Sequence, residues 1–102
     1  MSDETVVVRS DEVRVRSHHL GLGHRGLLAL VDVFGKPYVV FHTEGPDGWA
    51  VARHRVHVLG EAAHRTLRVD VADDPHWIAF ADDDAAHTWH GLLERAPEPA
   101  GA

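Results

Sequence analysis

What most constrains this chain is one amphipathic helix at the end of a sequence otherwise written in strand patterns. Within residues 83–96 the apolar positions are Ala85, Ala86, Trp89, Leu92, Leu93 and Ala96. Their spacing keeps them on one face at 3.6 residues per turn. His87, His90 and Glu94 fall on the other side. Asp82, Asp83 and Asp84 offer an N-cap and place negative charge at the positive end of the helix dipole, while Arg95 sits in the last turn and Pro97 ends it. An isolated helix of about fourteen residues is marginal in water. Trp89, Leu92 and Leu93 are therefore expected to be structural anchors that dock the helix on the rest of the chain.

The rest of the chain reads as strands. Residues 5–9 and 12–17 are two β-rich runs separated by Ser10-Asp11, which reads as a tight hairpin. In the second run Val13 and Val15 alternate with Arg14 and Arg16, the period-2 signature of a half-buried strand. Residues 18–26 form a glycine-spaced loop. Residues 26–34 and 37–43 are apolar runs joined at Gly35-Lys36. The first of these also fits a helical period through Leu27, Leu28, Leu30, Val31 and Phe34, but Val31, Val33, Phe34 and the adjacent turn favour a strand. Residues 44–48 hold three breakers in five positions. The run 49–59 changes the parity of its apolar face, from Trp49 and Val51 to Val56 and Val58, which calls for a bulge or bend near Arg53–Arg55. After a loop at 60–64, Thr66–Val71 alternates cleanly; Asp73-Asp74-Pro75 turns the chain, and 76–81 is the last strand.

These runs amount to seven short strands with short connections and then one helix. The expected class is mainly β with one helix: a seven-stranded antiparallel meander, bent or closed into a partly open barrel and capped by the C-terminal helix. A length of 102 residues suits a single domain over residues 5–96, with 1–4 and 97–102 as disordered tails.

Composition narrows the function classes. Cysteine is absent, which removes disulfides, thiolate metal sites and cysteine nucleophiles. A net charge of −6 argues against nucleic acid as a partner, because that affinity rests on basic charge. The basic residues nonetheless gather early and in the middle, and the aspartates gather late. The N-terminus lacks the basic and apolar regions of a signal peptide, and the longest apolar run is too short to span a bilayer, so a cytoplasmic location is expected. Arginine far outnumbers lysine and alanine is frequent, as in a high-GC bacterial genome.

The order of seven strands and one terminal helix, with Trp89 near the middle of that helix and Trp77-Ile78-Ala79-Phe80-Ala81 just before it, resembles a pleckstrin-homology domain. The resemblance implies a PH-like fold and binding rather than catalysis. Lipid-binding members of that family use basic residues around the first strands and their loop. Arg14, Arg16, His18, His19, His24 and Arg25 occupy that region here, without the lysine/arginine pattern of those members. The resemblance therefore implies a protein partner first and an acidic lipid or phosphate headgroup second. Arg53 and Arg55, at the expected bend, complete the candidate partner-binding set.

Other motifs have blander readings. Gly21-Leu22-Gly23-His24-Arg25-Gly26 fits GxGxxG, but no helix or second parallel strand follows as a dinucleotide fold requires. His87 and His90 share a helix face and, with Glu94, form the alternative metal set of a histidine metal-binding protein or metal-dependent enzyme; a solvated polar face explains them with less. No activated nucleophile is visible around Ser10 or Ser17, and no cofactor is expected. An exposed edge strand could also pair with another copy and make a homo-oligomer.

Overall fold

The computed structural model describes residues 5–17 and 23–94. Seven antiparallel strands form one unclosed sheet in the order β4-β3-β2-β1-β7-β6-β5, followed by a single helix. The strands are β1 (Thr5–Arg16), β2 (His24–Val33), β3 (Lys36–His42), β4 (Trp49–Ala52), β5 (Val56–Ala63), β6 (Thr66–Val71) and β7 (Asp74–Phe80); the helix is α1 (Asp83–Glu94). Every strand pairs with its neighbour in sequence except β4 and β5, which are the two edges of the sheet. Between them lies a single 3₁₀ turn, Arg53–Arg55. The meander is completed where Val13–Arg16 of β1 pairs with β7.

The strand count agrees with the sequence, but two of its parts do not. Ser10-Asp11 is not a hairpin: β1 runs unbroken through it, opposite Ala29 and Leu28 of β2. The run 49–59 is not one bent strand but two, because the parity change is taken up by the 3₁₀ turn. One strand fewer at the start and one more in the middle leave seven. The loop expected at 60–64 is instead mostly strand. β5 continues to Ala63, with register shifts between Val58 and Gly60 and between Glu61 and Ala63.

Two hairpins turn one residue earlier than the sequence suggests. Phe34 and Gly35 both have positive φ, as do Ala72 and Asp73. Such a pair matches the right-handed strand twist in a two-residue connection. The pattern is unusual in that Phe34 and Ala72 hold conformations that side chains with a Cβ disfavour. Residues 26–34, ambiguous in period, form a strand as far as Val33, with Phe34 in the turn. A helix there is excluded by the close approach of β3: a Cβ on Gly26 would lie 2.3 Å from the His42 carbonyl oxygen. The last glycine of the GxGxxG match is thus spent on strand packing.

One core forms on the inner face of the sheet. Val13 and Val15, Leu28 and Leu30, Val39 and Phe41, Leu67 and Val69, and Ile78 and Phe80 supply it in period-2 pairs, joined by Ala85, Ala86, Trp89 and Leu93 of the helix. Trp89 is fully buried and stacks on Phe80 with ring centroids 6.3 Å apart. Leu92 is half-buried at the core margin. The helix begins as its sequence specifies, with the Ala85 amide donating to Asp82 Oδ1 at 2.8 Å. Its expected end at Arg95, Ala96 and Pro97 lies outside the described residues, as do the expected tails.

Candidate functional site

The alternation that sends valine, leucine, isoleucine and phenylalanine inward sends arginine outward. With Val13 and Val15 buried, Arg14 and Arg16 project from the opposite face of β1. Leu67 and Val69 do the same for Arg68 on β6, and Ile78 and Phe80 for Trp77 on β7. The register then sets these outward residues side by side. Arg16 is opposite Trp77, and Trp77 is opposite Arg68. Each guanidinium carbon lies 5.7 Å from the centroid of the indole, so Trp77 is flanked by cations from both neighbouring strands.

One step along the same face, Arg14 is directly opposite Arg25 of β2. Like charges facing each other across two strands cost stability. Arg65 joins them from the β5–β6 turn, where its Nη1 donates to the Ala81 carbonyl at 2.9 Å. Together Arg14, Arg25 and Arg65 line an open depression of about 420 Å³, whose lining also includes Glu12 and Ala79. The outer face of β2, β1, β7 and β6 is therefore an arginine surface around one tryptophan, in a protein with a net charge of −6.

The candidate partner-binding residues thus divide. Arg14, Arg16 and Arg25 belong to this surface. His24 does not: it is opposite Val15 and so falls on the other face of the sheet, with its Nδ1 3.6 Å from Asp47 Oδ2. His18 and His19 lie outside the described residues. Arg53 and Arg55 belong to the β4–β5 turn, which joins the two edges of the sheet. Arg53 is a correction to the sequence reading, since it is only 5% exposed: the turn folds its side chain inward instead of displaying it. Arg55 is exposed and reaches Asp73 Oδ2 at 3.5 Å.

Arg65 and Arg68 were not among the candidates. The clean alternation of Thr66–Val71 already assigned Arg68 to the non-core face, and the same parity argument applies to Trp77 beside Ile78. What the sequence could not supply is the register that brings β6 and β7 against β1.

A second concavity lies between α1 and the β1–β3 corner. It is an open groove of about 410 Å³ whose walls include Val8, Leu30, Val31, Pro37 and Leu92, with Asp32, Arg53, His87 and Thr88 as its polar members. The alternative metal set is not gathered here or elsewhere: among the described residues no group of three or more histidine and carboxylate side chains is placed to hold an ion. His90 Nε2 and Glu94 Oε1 are 3.7 Å apart on adjacent turns of the helix, an i, i+4 pair. No helix among the described residues is long and apolar enough to cross a membrane. No protein-family model matches the chain, and neither a curated protein nor a solved structure matches it.

Proposed function

We propose that this chain is a non-catalytic protein-binding and scaffolding module of PH-like architecture, docking an acidic segment of its partner on the arginine face of β2, β1, β7 and β6. The observation that carries the reading is Trp77 held between Arg16 and Arg68, next to the facing pair Arg14 and Arg25. Tryptophan and arginine are the residues on which interface energy concentrates. Here they occupy one exposed sheet face, with cations in excess. The seven strands, and the terminal helix whose tryptophan packs under them, support the PH-like part of the reading.

A labelled peptide rich in aspartate and glutamate, titrated into the protein, tests it. Arg16→Ala combined with Arg68→Ala removes two cations from the face beside Trp77 and is expected to weaken binding of the acidic peptide about tenfold, as the loss of two exposed ion pairs with it would. Added salt should weaken the parent's binding as well. Equal affinity of parent and double variant would exclude the arginine face. The same arginines also fit an acidic-lipid or phosphate headgroup. That reading would replace the first if phosphatidylserine vesicles, and not the peptide, retained the protein, and if Arg14→Ala with Arg16→Ala released it.

A further inference from the structure

Strand β2 is more apolar than a strand with one covered face needs to be. Its run Leu27-Leu28-Ala29-Leu30-Val31 holds no polar residue, the pattern of a strand covered on both faces, whereas a strand with one solvated face alternates. Leu28 and Leu30 face the core. Leu27, Ala29, Val31 and Val33 therefore fall on the outer face, where Leu27 is 43% exposed and the other three are half-buried. The register extends this apolar field sideways. Ala29 is opposite Val40, which is opposite Ala50, and Val31 is opposite Tyr38, which is opposite Ala52. Val31 also borders the groove beside α1. Lys36, opposite Val33, bounds the field at one end. At the other end Glu12 and His42 flank Leu27, and Arg25 follows it on the same face of β2, opposite Arg14.

The helix of this chain is spent on the inner face, and among the described residues there is no second helix to cover the outer one. A contiguous apolar field left open in this way marks a docking surface. It lies on the face of the sheet and not on an edge, so a segment laid across it finds no backbone groups to pair with. An extended segment would bury its own amides and carbonyls there unmet, while a helix satisfies its own. Leu27 to Val33 spans about 20 Å at the rise of a strand, the length of about fourteen residues of helix. Charge decides which end of such a helix is acidic. Beyond Leu27 it meets Arg14, Arg25 and Arg65, with Arg16 and Arg68 behind them, and these outnumber Glu12 and Glu44.

We infer that the outer face of β2 and β3 docks one amphipathic helix of the partner, its apolar stripe along Leu27 to Val33 and its acidic end over Arg25 and Arg14. This deepens the proposed function and rests on it, since the acidic end is the segment assigned there to the arginine face. Two labelled peptides of one composition test it. Both carry glutamates at one end; one has leucines at helical spacing, and the other has them reordered so that no stripe forms. The parent is expected to bind the striped peptide about tenfold more tightly, with a gain in helical circular dichroism. Val40→Lys sets a cation in the middle of the field and should abolish that advantage. Its affinity for a peptide of aspartate and glutamate alone should not fall, which also shows that the variant folds. Ala50→Lys, at an exposed position opposite Val40, should reduce the advantage as well. Equal binding of the two peptides by the parent, or an advantage untouched by both lysine variants, overturns the inference and leaves the arginine face standing. No binding of any acidic peptide overturns the two readings together. A parent that dimerises in sedimentation velocity, with the dimer lost in Val40→Lys, assigns the field to a second copy and overturns the inference too.

Discussion

Asp11 shows how one side chain can tie distant parts of the chain together. Its Oδ2 accepts from Arg9 Nε at 2.6 Å and from Trp89 Nε1 at 2.7 Å, so the first strand and the last helix share one carboxylate oxygen. Trp89 is completely buried, and its indole N–H has no water to turn to. Asp11→Ala is expected to cost about 1–3 kcal/mol, the penalty for leaving such a donor unmet. A double-mutant cycle with Trp89→Phe checks this in denaturant melts. A coupling energy near zero would mean that the bond contributes nothing. The role of Asp11 was not legible in the sequence, where Ser10-Asp11 looks like turn chemistry. The polar pair interrupts no core here, because Ser10 is exposed and the Asp11 carboxylate is met by Arg9 and Trp89.

At the scale of elements, pattern was legible wherever burial is one-sided. Thr66–Val71 was read to the residue, and α1 carries its start signal at Asp82. The reading failed where geometry outside the element decides. The β4–β5 break follows from two strands becoming the two edges of the sheet, which the parity change at 53–55 reports only as an irregularity. The β2–β3 hairpin is tight although its first turn residue is Phe34, at φ 52° and 71% exposed. Asparagine accepts that conformation more readily, and Asn-Gly is the favoured pair for this turn. Phe34→Asn should therefore stabilise the protein by about 1 kcal/mol. For a domain of this size, that is a rise of roughly 4–8 °C in melting temperature. No rise, or a fall, would show that the phenyl ring contributes more than its exposure suggests.

For the molecule as a whole, the helix holds together a sheet whose two edges never pair. α1 packs against β5, β6 and β7, while its tryptophan reaches β1. Trp89→Ala should cost roughly 3–5 kcal/mol, a large share of the stability of a small domain. A variant melting within a few degrees of the parent would show that the helix is not the anchor. The overall class was legible because seven strand-like runs cannot bury their apolar faces without curling around one core. The arginine face was half legible, since its members on β1 and β2 are close in sequence and those on β6 and β7 are not. The seam between β1 and β7 has a consequence for synthesis. Strands β1 to β4 can assemble as soon as they leave the ribosome, each against the one before. The inner flank of Val13 and Val15 must wait for β7 and then α1, so a nascent chain carries an adhesive valine-rich strand until its last elements emerge.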